Sequence, residues 1–346
     1  MNNIEKVNHR AAWTAKSLQE QSAEWIYHLS ADDMAEIDQA LRQVKRTGLV
    51  VPGFGAAEFP IPNLMARLAT FKEELNFGLG VLYIRDLPIE RYSKDDASAI
   101  FWGLGMHLGK PWEQNLRGHV LGDVINEGKT IDDPSARGYQ TTITLNMHTD
   151  GADLVGLLCL KQAPIGGESQ IVSGVSVFNR LVDTHPDVAR HLLETEFCID
   201  WRGEEPPGEA PYHRGHIYER LPIGMTSFAL TVYIQSAQRH PDATRLTEAD
   251  NAALAVFEEV TNDPDLVFRF TQKAGDMQFL NNHFHFHGRT TFTDSDDPKE
   301  KRHLRRLWLE TPQWNEHRPA VMSNILHNAT VHWRNSDASV KMWDNG

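Results

Sequence analysis

The sequence predicts a mainly β protein with helical decoration (α+β), organised as an antiparallel double-sheet jelly roll. Three observations carry this. Helical patterning is concentrated at the start of the chain. After Pro111, short β-type segments separated by Gly, Asp and Pro dominate. Later helical segments are inserted between strands without the regular strand–helix–strand alternation of a parallel sheet. Gly53-x-Gly55, Gly78-x-Gly80 and Gly103-x-Gly105 lack the further glycine and the strand-to-helix context of a dinucleotide fingerprint, so they read as turns or caps.

Taken in order, residues 1–50 read as helical. Ser30 and Asp33 have capping-box spacing, and Met34, Ile37, Leu41 and Val44 follow at helical intervals until Gly48 and Pro52 end the segment. A second helix is predicted from Pro62 and Asn63, with Leu64, Leu68, Phe71 and Leu75 on one face, stopping before Gly78. A strand follows over 80–85. Ser93 and Asp96 cap a third helix through Ile100 and Leu104. Strands are predicted over 120–125, 141–147, 154–160 and 169–172, with a turn at Gly166-Gly167. Helices are predicted over 175–182 and 186–193, and Thr247 with Asp250 caps another. Closing strands are predicted over 267–271, 277–280, 283–287 and 303–309. Residues 200–240 mix aromatics, Arg and His without periodicity, which suits a lid or a long excursion.

At 346 residues the chain can bury a sizeable core, and 40% hydrophobic with 23% charged residues is an ordinary soluble mixture. A net charge of −13 argues against nucleic-acid and anionic-membrane partners, despite a local basic cluster over 299–306. The polar start has no apolar h-region, which predicts no signal peptide, and no apolar run approaches the ~20 residues of a membrane span. The two cysteines, Cys159 and Cys198, lie in apolar surroundings and read as buried free thiols, so a cytoplasmic location is expected.

Two stretches carry chemistry. In 145–151, His148 and Asp150 stand two residues apart at the end of an apolar run, so a strand would aim both at one point. That is two thirds of a 2-His-1-carboxylate site, which holds non-heme Fe(II) with open positions. The triplet alone also fits a surface turn. In 275–289, His283, His285 and His287 alternate with Phe284 and Phe286, placing imidazoles on one face of a strand and phenyls on the other. Gly288, free to bend beside His287, favours His287 as the third ligand, with His285 the second choice. In the following run, Arg302, Leu304, Arg306 and Trp308 would share one face of a strand. An arginine inside a barrel mouth needs an anion, supplied by surface acids or by a dicarboxylate cosubstrate.

His148-Thr149-Asp150, Gly166-Gly167-Glu168-Ser169, Gly275-Asp276, Asn281-Asn282, His287-Gly288-Arg289-Thr290 and the Arg302-His-Leu-Arg-Arg306-Leu-Trp-Leu run occur in the order of a known family. The chain resembles the taurine-dioxygenase-like and clavaminate-synthase-like Fe(II)/2-oxoglutarate-dependent oxygenases over residues 75–312. The resemblance implies a double-stranded β-helix, Fe(II), 2-oxoglutarate as cosubstrate and O2. Carried over by position, His148, Asp150 and His287 match the iron ligands. Arg302 and Arg306 fall where the family binds the far carboxylate of 2-oxoglutarate, Arg302 ranking first and the other Arg being left for the near carboxylate or the substrate. Ser169 falls where members carry a hydroxyl residue that touches 2-oxoglutarate.

The implied reaction is hydroxylation of an unactivated C–H in a small polar or anionic molecule, with release of succinate and CO2. Asp150 in place of a small residue implies oxygenation rather than halogenation; desaturation and ring formation stay open. Residues 1–75 are expected to be a helical segment packing on the core, 76–312 the oxygenase domain with a lid at 200–240, and 313–346 a C-terminal extension. That extension, with Trp314, Trp333 and Trp343, could cover the site, form a subunit interface of a homo-oligomer, or trail as a tail. Arg202, His213, Arg214, Tyr218, Tyr233, Asn126 and Asn146 are the candidates for substrate contact. Two rivals remain at this point: a non-catalytic small-molecule-binding protein on the same barrel, which need not keep all three ligands, and a Zn(II) hydrolase, which lacks a recognisable general-base carboxylate here.

Overall fold

A computed structural model describes residues 4–115, 117–130 and 137–328. Its largest sheet has seven strands. The order is Ile26–His28, Val81–Arg85, Met277–Asn281, Leu154–Lys161, His303–Glu310 and Lys110–Pro111, with Leu121–Ile125 also pairing with His303–Glu310. All pairings but the first are antiparallel. A four-stranded antiparallel sheet runs Phe268–Phe270, Ser169–Ser173, His285–Arg289, Leu145–His148. One apolar cluster joins the two sheets through Val81, Tyr83, Val155 and Trp308 of the large sheet and Met147, Ile171 and Phe286 of the small one. This is the jelly roll that the strand pattern predicts.

Strand alternation explains how the large sheet serves two cores. Val81 and Tyr83 face the small sheet, while Leu82 and Ile84 join Ile37, Leu41, Ile100 and Leu104 in a second cluster beneath the N-terminal helices. With both faces covered, these strands read as continuous apolar runs. The Ala31–Thr47 and Lys94–Leu108 helices start at Ser30 and Ser93 as predicted, and Gly48 ends the first in the left-handed region at φ 72°. The predicted helix over 62–77 is two helices, Pro62–Arg67 and Ala69–Phe77, broken at Leu68.

Three further differences from expectation stand out. Ile26–His28 is a strand inside the predicted helical segment, too short to show a period but paired in parallel with Tyr83–Arg85. The strand expected over 141–147 is shorter, Leu145–His148, and a 3₁₀ turn occupies Gly138–Gln140. The strand expected over 283–287 starts at His285, because the preceding residues turn the chain out of Met277–Asn281.

Of the C-terminal extension, residues 313–328 pack over the barrel, and Trp333 and Trp343 lie outside the described residues. Arg318 donates to both oxygens of the buried Asp153, at 2.8 and 2.7 Å, and Asp153 also accepts from the Thr311 main chain. Trp314 is buried against His283, with ring centroids 3.8 Å apart. No helix among the described residues is long and apolar enough to cross a membrane.

Candidate metal centre and cavity

His148 ends its strand and His287 lies opposite it as its register partner. Gly288 has a packing role here instead of the bend expected of it. Its φ is not positive, and a Cβ would meet the Leu145 carbonyl oxygen at 2.6 Å, so glycine lets the two histidine-bearing strands approach. Asp150 lies beyond the strand. Thr149 sets its direction by exchanging hydrogen bonds with Ala229: its N–H donates to the Ala229 carbonyl (3.0 Å), and its Oγ1 accepts from the Ala229 N–H (2.8 Å).

The result is a compact triad. The His148 and His287 ring centroids are 4.3 Å apart, and the Asp150 carboxylate lies 3.9 Å from His148 Nε2 and 3.7 Å from His287 Nε2. One donor atom from each of the three falls within 4.8 Å of the others, a spacing that could hold a metal ion. The Asn146 carbonyl accepts from His148 Nδ1 at 2.8 Å, which turns Nε2 toward Asp150. Burial lowers the basicity of both imidazoles, and with His148 alongside it takes His287 down to about 3. Burial alone would raise Asp150, but Arg306 and the two histidines hold it below the usual carboxylate range. Neutral imidazoles beside a carboxylate are the protonation states a divalent metal needs.

Asp150 has two further partners that the sequence reading did not assign. Trp308 Nε1 donates to Oδ2 at 2.9 Å, and Arg306 Nη1 stands 3.3 and 3.4 Å from the two oxygens. Arg306 Nε donates to Gln114 Oε1 at 2.8 Å, and its guanidinium lies over Trp308 and Tyr139. Strand alternation carries Arg306 and Trp308 to the triad, while Arg305 on the other face turns to Asp123 and Ser98.

The neighbouring histidines have different fates, and the expectation of three imidazoles on one strand face is corrected: the strand begins at His285 and leaves His283 in the turn. His283 is fully buried in the turn, with Nε2 3.0 Å from Asp153 Oδ1. His285 is fully buried too. Its Nε2 accepts from Trp13 Nε1 at 3.1 Å, and its Nδ1 bonds the Asn281 carbonyl. The ring lies on the backbone of Gly80 (φ 74°), where any Cβ would collide with Cε1 at 2.1 Å. Both are buried core histidines, His285 with both ring nitrogens engaged and His283 through Nε2 alone, and His285 is outside the triad.

On the other side, Arg302, Arg289, Ser169 and Gln272 converge. Arg289 and Arg302 both pack on the Phe292 ring, at 4.4 and 5.4 Å, and Arg289 is the register partner of Ser169. Ser169 Oγ donates to Gln272 Oε1 at 3.3 Å. Among the described residues no carboxylate pairs with the Arg302 guanidinium, and Arg289 Nη1 and Gln272 Nε2 are buried without partners. Burial brings both arginines down to about 10, so both stay protonated. Arg289 and Gln272 were not among the predicted residues; Arg289 stood in the quoted His287-Gly288-Arg289-Thr290 run without a role.

A cavity of about 180 Å³ opens beside the triad, lined by His148, Asp150, Arg306, Trp201, His213, Tyr233 and Ile325 among others. The 200–240 stretch therefore supplies part of its wall. Of the candidate substrate residues, His213, Tyr233 and Asn146 line it. Arg202 binds Ser236, Arg214 is on the surface beside Thr244, and Asn126 caps its own turn at Gly128. Tyr218 is buried among Phe178, Phe257 and Phe286. These four lie outside the cavity lining.

The chain is similar to known proteins in sequence and in fold. The taurine catabolism dioxygenase TauD, TfdA family matches residues 26–308. FR-33289 synthase of Streptomyces rubellomurinus is 30% identical over 88% of this chain and 90% of its own length. Taurine hydroxylase-like protein SAT17 of Stachybotrys chartarum is 27% identical over 87% and 79%. Among solved structures, asparagine oxygenase in complex with Fe(II), 3-hydroxyasparagine and succinate superposes with a TM-score of 0.61 at 17% identity, covering 83% of this chain and 94% of that one. The non-heme iron oxygenase OrfP with Fe and α-ketoglutaric acid gives a TM-score of 0.57 at 15% identity, with coverages of 83% and 94%; these two likenesses establish the fold. The chain belongs to the TauD/TfdA family of Fe(II)- and 2-oxoglutarate-dependent dioxygenases.

Proposed function

We propose that His148, Asp150 and His287 hold Fe(II), that Arg302 pairs with the far carboxylate of 2-oxoglutarate, and that the enzyme hydroxylates an unactivated C–H of a small polar or anionic molecule in the adjoining cavity. The observation that carries this reading is the buried donor cluster around Arg302. A buried guanidinium without an ion-pair partner is costly; among the described residues Arg302 has none, and Arg289 Nη1 and Gln272 Nε2 lack acceptors. A dicarboxylate end would satisfy all three, with Ser169 as a further polar contact. When bound, the iron and 2-oxoglutarate supply the oxygen-activating chemistry, with release of succinate and CO2.

The chain's own residues orient and shield. Asn146 fixes the His148 tautomer, and Trp308 fixes one oxygen of Asp150. Once Asp150 serves a cation, Arg306 keeps Gln114 and turns its charge to the near carboxylate or to an anionic group of the substrate. Arg302 is thus ranked ahead of Arg306 for the far carboxylate. The buried free thiols Cys159 and Cys198 support a cytoplasmic location.

The test is an anaerobic Fe(II) and 2-oxoglutarate titration, followed by the visible metal-to-ligand charge-transfer band. The band is expected in wild type and in His285→Gln, and absent from His148→Ala and His287→Ala. Its absence from well-folded wild type would overturn the reading and favour a binding protein on the same barrel.

A further inference from the structure

His213 stands apart from the other polar groups of the cavity. It lies on the Tyr212–Gly215 strand, whose register with Phe197–Asp200 places it against Ile199. Its ring is held by Trp201, at 4.4 Å between centroids, and by Phe228, at 6.2 Å. Neither ring nitrogen has a hydrogen-bond partner among the described residues, and Nδ1 is fully buried. The ring is nevertheless part of the cavity lining, which leaves Nε2 as the nitrogen able to meet an occupant.

The charged groups on the same wall are all engaged. Arg137 donates to Tyr233 Oη (3.1 Å) and the Trp201 carbonyl (3.2 Å) and pairs with Glu204. Asp200 pairs with Arg239 and His240 and accepts from Ser236. A polar ring wedged between two aromatic side chains, without a partner among the described residues, contributes nothing favourable to the fold that an apolar ring would not. An apolar residue would pack there at least as well.

We infer that His213 is a specificity-determining contact that hydrogen-bonds an uncharged polar group of the substrate, an amide, alcohol or carbonyl remote from its anionic end. This rests on the proposed function, taken with the alternative in which Arg306 meets an anionic group of the substrate. A run of contacts separates the two points: Arg306 lies on Tyr139, Arg137 follows on the same turn and reaches Trp201, and Trp201 packs on His213. Held between Trp201 and Phe228, with burial pushing its basicity down to about 4, the ring is neutral at ordinary pH and offers Nε2 as a single hydrogen-bonding nitrogen rather than a charge. A substrate with an anion at one end and a neutral hydrogen-bonding group at the other satisfies both contacts. The same molecule with a methylene chain in place of the polar group leaves His213 unpaired, which is how a polar site rejects an isostere.

The test uses two probes of matched length, N-acetyl-β-alanine (carboxylate plus amide) and hexanoate (carboxylate plus methylenes). Binding of each to full-length protein loaded with Fe(II) and 2-oxoglutarate is measured by anaerobic calorimetry for wild type, His213→Leu and His213→Gln. Wild type is expected to prefer the amide by about tenfold or more, the Leu variant to lose that preference, and the Gln variant to keep part of it. An equal ratio in wild type and His213→Leu overturns the inference, as does no preference in wild type, binding of neither probe included. The charge-transfer band separates the two readings. A band in both proteins with an unchanged ratio defeats the role of His213 alone, whereas no band in wild type defeats the proposed function.

Discussion

On the Arg302 side of the triad, Arg302 has no ion pair among the described residues, and Arg289 Nη1 and Gln272 Nε2 are buried without partners; on the cavity side, Arg137 pairs with Glu204, and Asp200 with Arg239 and His240. On the proposed reading, the far carboxylate of 2-oxoglutarate would supply the acceptors that the first region lacks. The second is electrostatically closed and leaves a neutral imidazole to discriminate. The difference follows from what each must bind. A cosubstrate of fixed charge can be met by fixed countercharges, whereas a substrate is chosen by shape and a few hydrogen bonds on a wall that need not resemble any other.

The largest effect that would break this division is expected from Arg318. Its pair with Asp153 anchors 313–328, and Ile325 from that segment lies against Gly151 and lines the cavity. Arg318→Ala leaves the buried Asp153 with His283 and the Thr311 N–H, and should lower stability by ~3 kcal/mol. At temperatures where the variant stays folded, KM for the substrate should rise and that for 2-oxoglutarate should stay put. Equal rises in both would show that the C-terminal segment serves the whole centre. The next effect sharpens the other side. Arg302→Leu should weaken 2-oxoglutarate binding by roughly 30- to 150-fold, since a charge-assisted hydrogen bond contributes about 2–3 kcal/mol. Its melting temperature should hold or rise, because an unpaired buried charge has gone. Thermal melts with and without 2-oxoglutarate read both quantities, and a clear fall in the stability of the unliganded protein would contradict the picture of an incomplete region.

These contrasts also explain what the sequence displays. Capping pairs such as Ser30 with Asp33 are local, so three-residue spacing reveals them. The candidate triad was legible mainly through the order of the motifs that carry the family resemblance, since the His-x-Asp triplet alone also fits a surface turn and Asp150 lies beyond the strand that ends at His148. Alternation could not separate His285 from His287, since both sit on buried strand positions; the difference is made by Trp13 and Gly80, far away in sequence. Arg318 with Asp153, and Trp308 with Asp150, were hidden for the same reason. The stretch over 200–240 carries no period because a loop, a strand paired with Phe197–Asp200, a short hairpin over 218–227 and a seven-residue helix follow one another in it.

The smallest expected effect is a control remote from both regions. Asp33 is fully buried at the start of the Ala31–Thr47 helix and accepts from Ser30 N and Oγ, Tyr27 Oη and Arg67 Nε, all between 2.7 and 2.9 Å. Burial alone would raise this carboxyl, but Ser30, Arg67 and Tyr27 together hold it below 3.8. A depressed folded pKa means that the ionised carboxylate stabilises the protein at and above its ordinary range, and that this contribution is lost as pH falls through the folded value. Asp33→Asn should therefore lower stability at neutral pH by ~1–2 kcal/mol, the scale of a lost helix cap, and the gap from wild type should narrow as the pH drops below 3.8. Neither 2-oxoglutarate binding nor substrate discrimination should move, because the apolar face of the Ala31–Thr47 helix packs in the cluster beneath the large sheet and not in the one that joins the two sheets. Denaturant melts at neutral and acid pH check the first point and calorimetry the second. A change in cosubstrate affinity would mean that the N-terminal helices set the geometry of the centre through the large sheet, and the contrast between its two flanks would then have to include that support.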